Sequence, residues 1–97
     1  MERYYYTIAG TGFYFGSDFF KPEMKVKLIK EPDNEYDKEA IRVELKGLGK
    51  IGYVANSTYT VLGDSMSAGR LYDKIKNKAK ARVILKTPRG VICEITE

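Results

Sequence analysis

Histidine is absent from the 97 residues of this chain. That removes the commonest metal ligand, the Ser-His and Cys-His nucleophile pairs, and the usual general base near neutral pH. Catalysis would have to run through carboxylates, lysine or tyrosine alone, and no carboxylate cluster has metal-ligand spacing. The chain therefore reads as a non-enzymatic protein with no metal and no cofactor. Its one cysteine, Cys93, has no internal partner for a disulfide, which points to a reducing, cytoplasmic setting. Apolar runs extend only a few residues, so no membrane span is expected. A basic start followed by an apolar stretch is also missing, so no secretory signal is expected. Linkers, repeats and low-complexity stretches are lacking too, and one domain over residues 1–97 is expected.

What is present fits a small globular domain. Hydrophobic residues make up 43% and charged residues 31%, the balance of an ordinary folded protein. At this length the fold buries roughly 60–68% of its unfolded surface, enough for one modest core. The net charge is +4 and the isoelectric point about 9.1, but the distribution says more. Between Arg70 and Arg89 the chain carries Lys74, Lys76, Lys78, Lys80, Arg82 and Lys86 against a single acid, Asp73. The acids gather instead at Glu31, Asp33, Glu35, Asp37 and Glu39. A basic segment of this kind suits a polyanion, with nucleic acid the leading partner. A solvated strand face that uses lysine to discourage edge pairing explains it equally well.

The local signals are mainly β. Tyr4 to Ala9 is aromatic and β-branched, and Lys25 to Lys30 alternates polar and apolar with period two. Ala40 to Leu45 alternates as well, and Gly47-Leu48-Gly49 turns the chain into Lys50 to Val54. In Ala79 to Lys86 the alternation sets Ala79, Ala81, Val83 and Leu85 on one face and the basic residues on the other. Pro88-Arg89-Gly90 is a turn, and Val91 to Ile95 reads as the returning strand, with Cys93 a small core residue. One helix is expected from an Asn56 or Ser57 N-cap to about Ala68, stopped by Gly69, with Val61, Leu62 and Met66 on its apolar side. Leu71 to Ile75 is a second short helix or a loop. Together these predict a mainly β fold, a small OB-like or SH3-like barrel of about six strands with one or two short helices, since closure removes exposed strand edges.

Two constellations bear on chemistry. Ten of the twelve Phe and Tyr residues lie in the first 53 positions. Strand neighbours point to opposite faces, so at least one of Tyr4 to Tyr6, and one of Phe13 to Phe15, is expected at the surface. Exposed aromatics beside basic groups are platforms for single-stranded bases, worth roughly 1–3 kcal/mol per base; packing of the barrel accounts for most of the rest. In the acidic turn, Asp33, Asn34 and Asp37 lack EF-hand spacing. Asp37 could accept a hydrogen bond from a sugar hydroxyl while Tyr36 stacks, but on the residues alone capping of the turn by Asn34 and Asp37 stands ahead of that. Gly10-Thr11-Gly12 lacks the third glycine and the helix of a dinucleotide fingerprint.

The pattern Glu31-Pro32-Asp33-Asn34-x-Tyr36-Asp37-x-x-Ala40-Ile41-x-Val43, followed by Ile51-Gly52-Tyr53-Val54, resembles the signature of HIRAN domains. These domains occur in some SNF2-type DNA remodellers and as free-standing proteins. Gly10 to Gly16 is similar to the aromatic segment ahead of the family's first long strand, and the likeness covers nearly the whole chain. It implies an OB-like barrel that binds DNA and, as in a remodeller member of the family, captures the 3′-hydroxyl end of a single strand. By the same resemblance, Asp37 accepts the terminal hydroxyl, Tyr36 lies beside it, and Phe13 and Tyr14 contact and stack on the last nucleotides. Tyr53 replaces a histidine, and Asn56 a phosphate-contacting lysine. An arginine ahead of the aromatic pair is Gly12 here, so weaker binding is expected unless Arg3 or the Arg70 to Arg89 segment compensates.

The function expected is thus a DNA-binding module for single strands or 3′-hydroxyl ends in DNA repair or processing, with Phe13, Tyr14, Tyr36, Asp37, Tyr53 and Asn56 as its site. The alternative is a protein-interaction adaptor for a separate helicase or nuclease.

Overall fold

The structure, a computed structural model, describes residues 3–97. Six antiparallel strands close into a barrel: β1 (Tyr5–Ala9), β2 (Lys25–Lys30), β3 (Ile41–Leu45), β4 (Gly49–Val54), β5 (Lys78–Thr87) and β6 (Gly90–Ile95), in the spatial order β1-β4-β3-β2-β5-β6. Period-two alternation drives this. Val26 and Leu28 of β2, Ile41 and Val43 of β3, Ala79, Ala81 and Val83 of β5, and Val91 and Cys93 of β6 all point inward and are buried. Tyr6, Ile8, Ile51 and Phe20 fill the remaining space. Burial pushes the Cys93 thiol up to about 12, so it stays protonated and serves as core. No helix among the described residues is long and apolar enough to cross a membrane.

Two expectations require correction. The segment from Asn56 does not form a helix. It makes two separate turns, one in which Thr60 and Val61 donate to the Ser57 carbonyl at 3.0 and 2.9 Å and one in which the Ser65 amide donates to the Leu62 carbonyl at 3.1 Å, and it lies against β1. The Leu62 amide donates to Thr7 Oγ1 at 3.2 Å, Thr7 Oγ1 and Ser65 Oγ lie 2.8 Å apart, and the Met66 amide donates to the Tyr5 carbonyl at 2.7 Å. The Leu62 and Met66 amides thus go to β1 and not to a helical ladder, and that cover buries Thr7 completely. The α-helix, α1 (Ala68–Tyr72), begins where that helix was expected to end, with Ser67 as its N-cap. Gly69 sits inside it, against the Glu39 carboxylate, whose Oε1 would lie 2.6 Å from a Cβ at this position.

The second correction concerns Leu85, which is 45% exposed. A β-bulge between Val83 and Leu85 shifts the register against β6, from Val83 opposite Cys93 to Leu85 opposite Ile92. Beyond such a bulge the alternation inverts, so the inward face that began at Ala79 ends at Val83.

Gly52 decides how β4 meets β1. A Cβ at this position would sit 2.7 Å from Ile8 Cγ2 and 2.9 Å from the Ala9 carbonyl oxygen. Only a glycine lets the end of β1 come this close. Gly52→Ala is expected to destabilise the protein by about 1–3 kcal/mol, the usual cost of overpacking. Gly12→Ala, with nothing within 4 Å of its added Cβ, is the control; equal melting temperatures for the two variants would refute this account.

Candidate nucleic-acid interface

The site is built from the β3–β4 hairpin, the turn that follows β1, and the acidic loop between β2 and β3. In β4, the pairing steps from Val43 opposite Gly52 to Glu44 opposite Lys50. This irregularity buries Ile51 and Gly52 together and leaves Lys50 and Tyr53 on the same outer face. Lys50 Nζ donates to the Tyr53 hydroxyl at 2.7 Å.

After β1, Gly10 takes a left-handed conformation (φ 72°) and starts a 3-10 turn over Thr11–Phe13. The Phe13 amide donates to Gly10 and the Tyr14 amide to Thr11, at 3.1 and 3.0 Å. The close approach at Gly52 brings this turn over β4. The Tyr14 and Tyr53 rings lie 6.5 Å apart, tilted by 50°. The Lys50 ammonium is 4.9 Å from the Tyr53 ring centre and 5.8 Å from that of Tyr14. Phe13 is 89% exposed and Phe15 54%, so this aromatic segment faces solvent.

The acidic loop is held by its own side chains. Asn34 Oδ1 accepts from the amides of Tyr36 and Asp37 at 2.9 and 3.0 Å, and Asp37 Oδ1 accepts from the Glu39 amide at 2.9 Å. Both residues thus cap the turn, as their types favour. Asn34 Nδ2 also donates to Glu31 Oε1 at 2.9 Å, and the Tyr53 hydroxyl donates to the same oxygen at 2.9 Å. Glu31 Oε2 takes Arg42 at 3.3 Å and lies 3.6 Å from Lys50. At the far end, Asn56 Nδ2 donates to Asp37 Oδ2 at 3.0 Å while its Oδ1 accepts from the Gly69 amide at 2.9 Å. One hydrogen-bonded chain therefore runs from Lys50 through Tyr53, Glu31, Asn34, Asp37 and Asn56 to α1.

Electrostatics follow this chain. Partial burial pushes the Glu31 carboxyl up, but hydrogen bonds from Asn34, Tyr53 and Arg42 and the charge of Lys50 outweigh it, and the net direction is down. The Tyr53 hydrogen bond and the Glu31 charge raise Lys50 against the opposing effect of burial. Burial and the Glu31 contact raise Tyr53, with Lys50 acting against them. The group is an ionic knot with a neutral phenol at its centre.

Of the residues expected at the site, Tyr14, Tyr53, Asp37 and Asn56 are joined to this network or stacked on it. Tyr36 projects outward, 94% exposed, as does Phe13. Asn56 turns its amide to Asp37 and Gly69 and acts on the loop. Glu31 and Lys50 escaped the sequence reading as site residues. Glu31 opens the acidic motif, which is a signal in plain view, whereas the Lys50–Tyr53 pairing depends on an irregularity that strict alternation hides.

A family model described as HIRAN domain matches residues 1–88 of the chain. No curated protein and no solved structure matches it.

Because its folded pKa is depressed, Glu31 adds stability that is present above its ordinary value of 4.5 and is lost as pH falls through the lower folded value. Glu31→Gln is expected to flatten the fall of melting temperature with pH below about 4.5. A variant whose acid sensitivity equals that of the unaltered protein would show that this network carries no such linkage.

Proposed function

We propose, from the premise that this chain belongs to the HIRAN domain family, that it is a DNA-binding module that captures the 3′-hydroxyl end of a single strand. Membership supports nucleic-acid binding as such. The observation that carries the finer reading is the hydrogen-bonded chain linking the Tyr14–Tyr53–Lys50 group to Asp37. Each Asp37 oxygen already holds one donor, the Glu39 amide or the Asn56 amide, and retains a lone pair for another. A sugar hydroxyl satisfies that capacity. A phosphate in the same place meets the carboxylate as a like charge. The hydroxyl end is thereby distinguished from the phosphorylated end.

The aromatics supply affinity. Phe13 and Tyr36 present free ring faces for bases, and the tilted Tyr14–Tyr53 pair walls the adjoining side. Lys50 brings a positive charge to a pocket where Gly12 and Asn56 provide none, although Glu31 shares it. Asn56 is a positioning residue that aims Asp37 and ties it to α1. On this reading the module acts without catalysis of its own, in DNA repair or processing in the cytoplasm, together with a helicase or nuclease on another chain.

Anisotropy with a labelled single strand ending in 3′-hydroxyl or 3′-phosphate tests this. The hydroxyl end is expected to bind more tightly, and Asp37→Asn to reduce that preference by about 10-fold or more, the scale of a hydrogen bond to a charged group. Tyr14→Ala is expected to weaken both ligands by about 1–3 kcal/mol. Equal binding of the two ends by the unaltered protein would overturn end capture.

A further inference from the structure

Across the barrel from the acidic loop, the outer faces of β2 and β5 and the loop after α1 border a groove of about 680 Å³. Lys27, Lys74, Lys76, Lys78 and Lys80 line it, over a floor that includes Ile29, Ile75 and Ala79. All five lysines are exposed. Among the described residues, Lys80 pairs only with Glu97, at 3.2 Å, and no acid pairs with the other four. Arg82, on the same strand face, is by contrast engaged by Glu23 and Glu94. Lys30 fixes the border of the groove: its Nζ donates to the Ile75 carbonyl at 2.8 Å, and its amide to the Asn77 carbonyl at 3.0 Å.

Protection of a strand edge does not explain these lysines. β2 pairs with β3 and β5, and β5 with β2 and β6, so neither has an edge to protect. Lys27 stands directly opposite Lys80 on β5, a like-charge pairing, and opposite Glu44 on β3.

We infer that this groove is a second nucleic-acid contact, one that holds the phosphodiester backbone of the strand whose end sits at the Tyr14–Asp37 site. The register supplies the route. Tyr53 lies opposite Arg42, Arg42 opposite Ile29, and Ile29 opposite Lys78, so one transverse row joins the two surfaces. Three strand spacings make that path about 14 Å along the sheet, a distance that a few nucleotides of a single strand span. The lysine contacts themselves stand apart from the end-capture reading, which supplies only the direction of the strand.

The test is a salt titration with a 5′-labelled oligothymidine of about twelve nucleotides, 3′-hydroxyl or 3′-phosphate, between about 50 and 200 mM salt. Each phosphate neutralised on a single strand contributes about 0.7 to the slope of log K against log salt. Lys74→Gln/Lys76→Gln/Lys78→Gln is expected to lower that slope by about 2 while leaving the preference between ends unchanged. The corresponding Lys→Arg triple is expected to keep it, which separates charge from folding. An unchanged slope in the Gln triple, or an equal loss in the Arg triple, would overturn the groove. If the Gln triple lowers the slope but the unaltered protein does not tell the two ends apart, end capture falls and the groove stands. No binding of either oligonucleotide by the unaltered protein would overturn both.

Discussion

The carboxylate of Glu31 is the contact on which the interface depends. It stands where β2 gives way to the acidic loop, and it receives Asn34 from the loop, Arg42 from β3, and Tyr53 and Lys50 from β4. Without that acceptor, the Asn34 amide and the Tyr53 hydroxyl would each lose a partner, and Arg42 and Lys50 would repel each other. A partly buried acceptor shared by several donors costs more to remove than any single bond within it suggests. It also makes the loop and the aromatic side of β4 one mechanical unit. The position of Asp37 relative to Tyr14 is thus a property of the barrel, although Asp37 itself is on a loop.

Barrel closure is the second constraint. Because every strand has two neighbours, the outer surface is continuous, and rows of side chains cross it without a break. One such row joins Tyr53 to Lys78 through Arg42 and Ile29. Closure changes the meaning of charge as well. Lysines that on an open sheet would guard an edge have no such duty here.

Much of this fold was legible from alternation. The extent of β2 agrees with the sequence reading, and β3, β4 and β5 differ from it by a residue or so at their ends. The expectation that aromatics near the start of the chain reach the surface holds for Tyr5, Phe13 and Phe15, and Tyr6 packs in the core. The helix from Asn56 failed for a physical reason. Val61, Leu62 and Met66 do mark a segment with an apolar side, but β1 offered backbone and side-chain partners that local helical bonds did not outmatch. Ser57 still capped the first turn of the segment. Leu85 failed because a single bulge inverts everything beyond it.

The site divides along the same line. Turn capping by Asn34 and Asp37 is a local matter of side chains bonding to amides two or three positions on, so the sequence determined it, along with the inward faces of the strands and the small-domain, mainly β character. The tertiary structure alone decided which of the scattered polar residues meet. Glu31 reaches Tyr53, Asp37 reaches Asn56, and Asn56 reaches Gly69, across separations of 13 to 22 positions. Those contacts depend on strand register, on the irregularity that puts Lys50 beside Tyr53, and on the missing Cβ of Gly52. Register is set jointly by all six strands as they close, which is why no local pattern contains it.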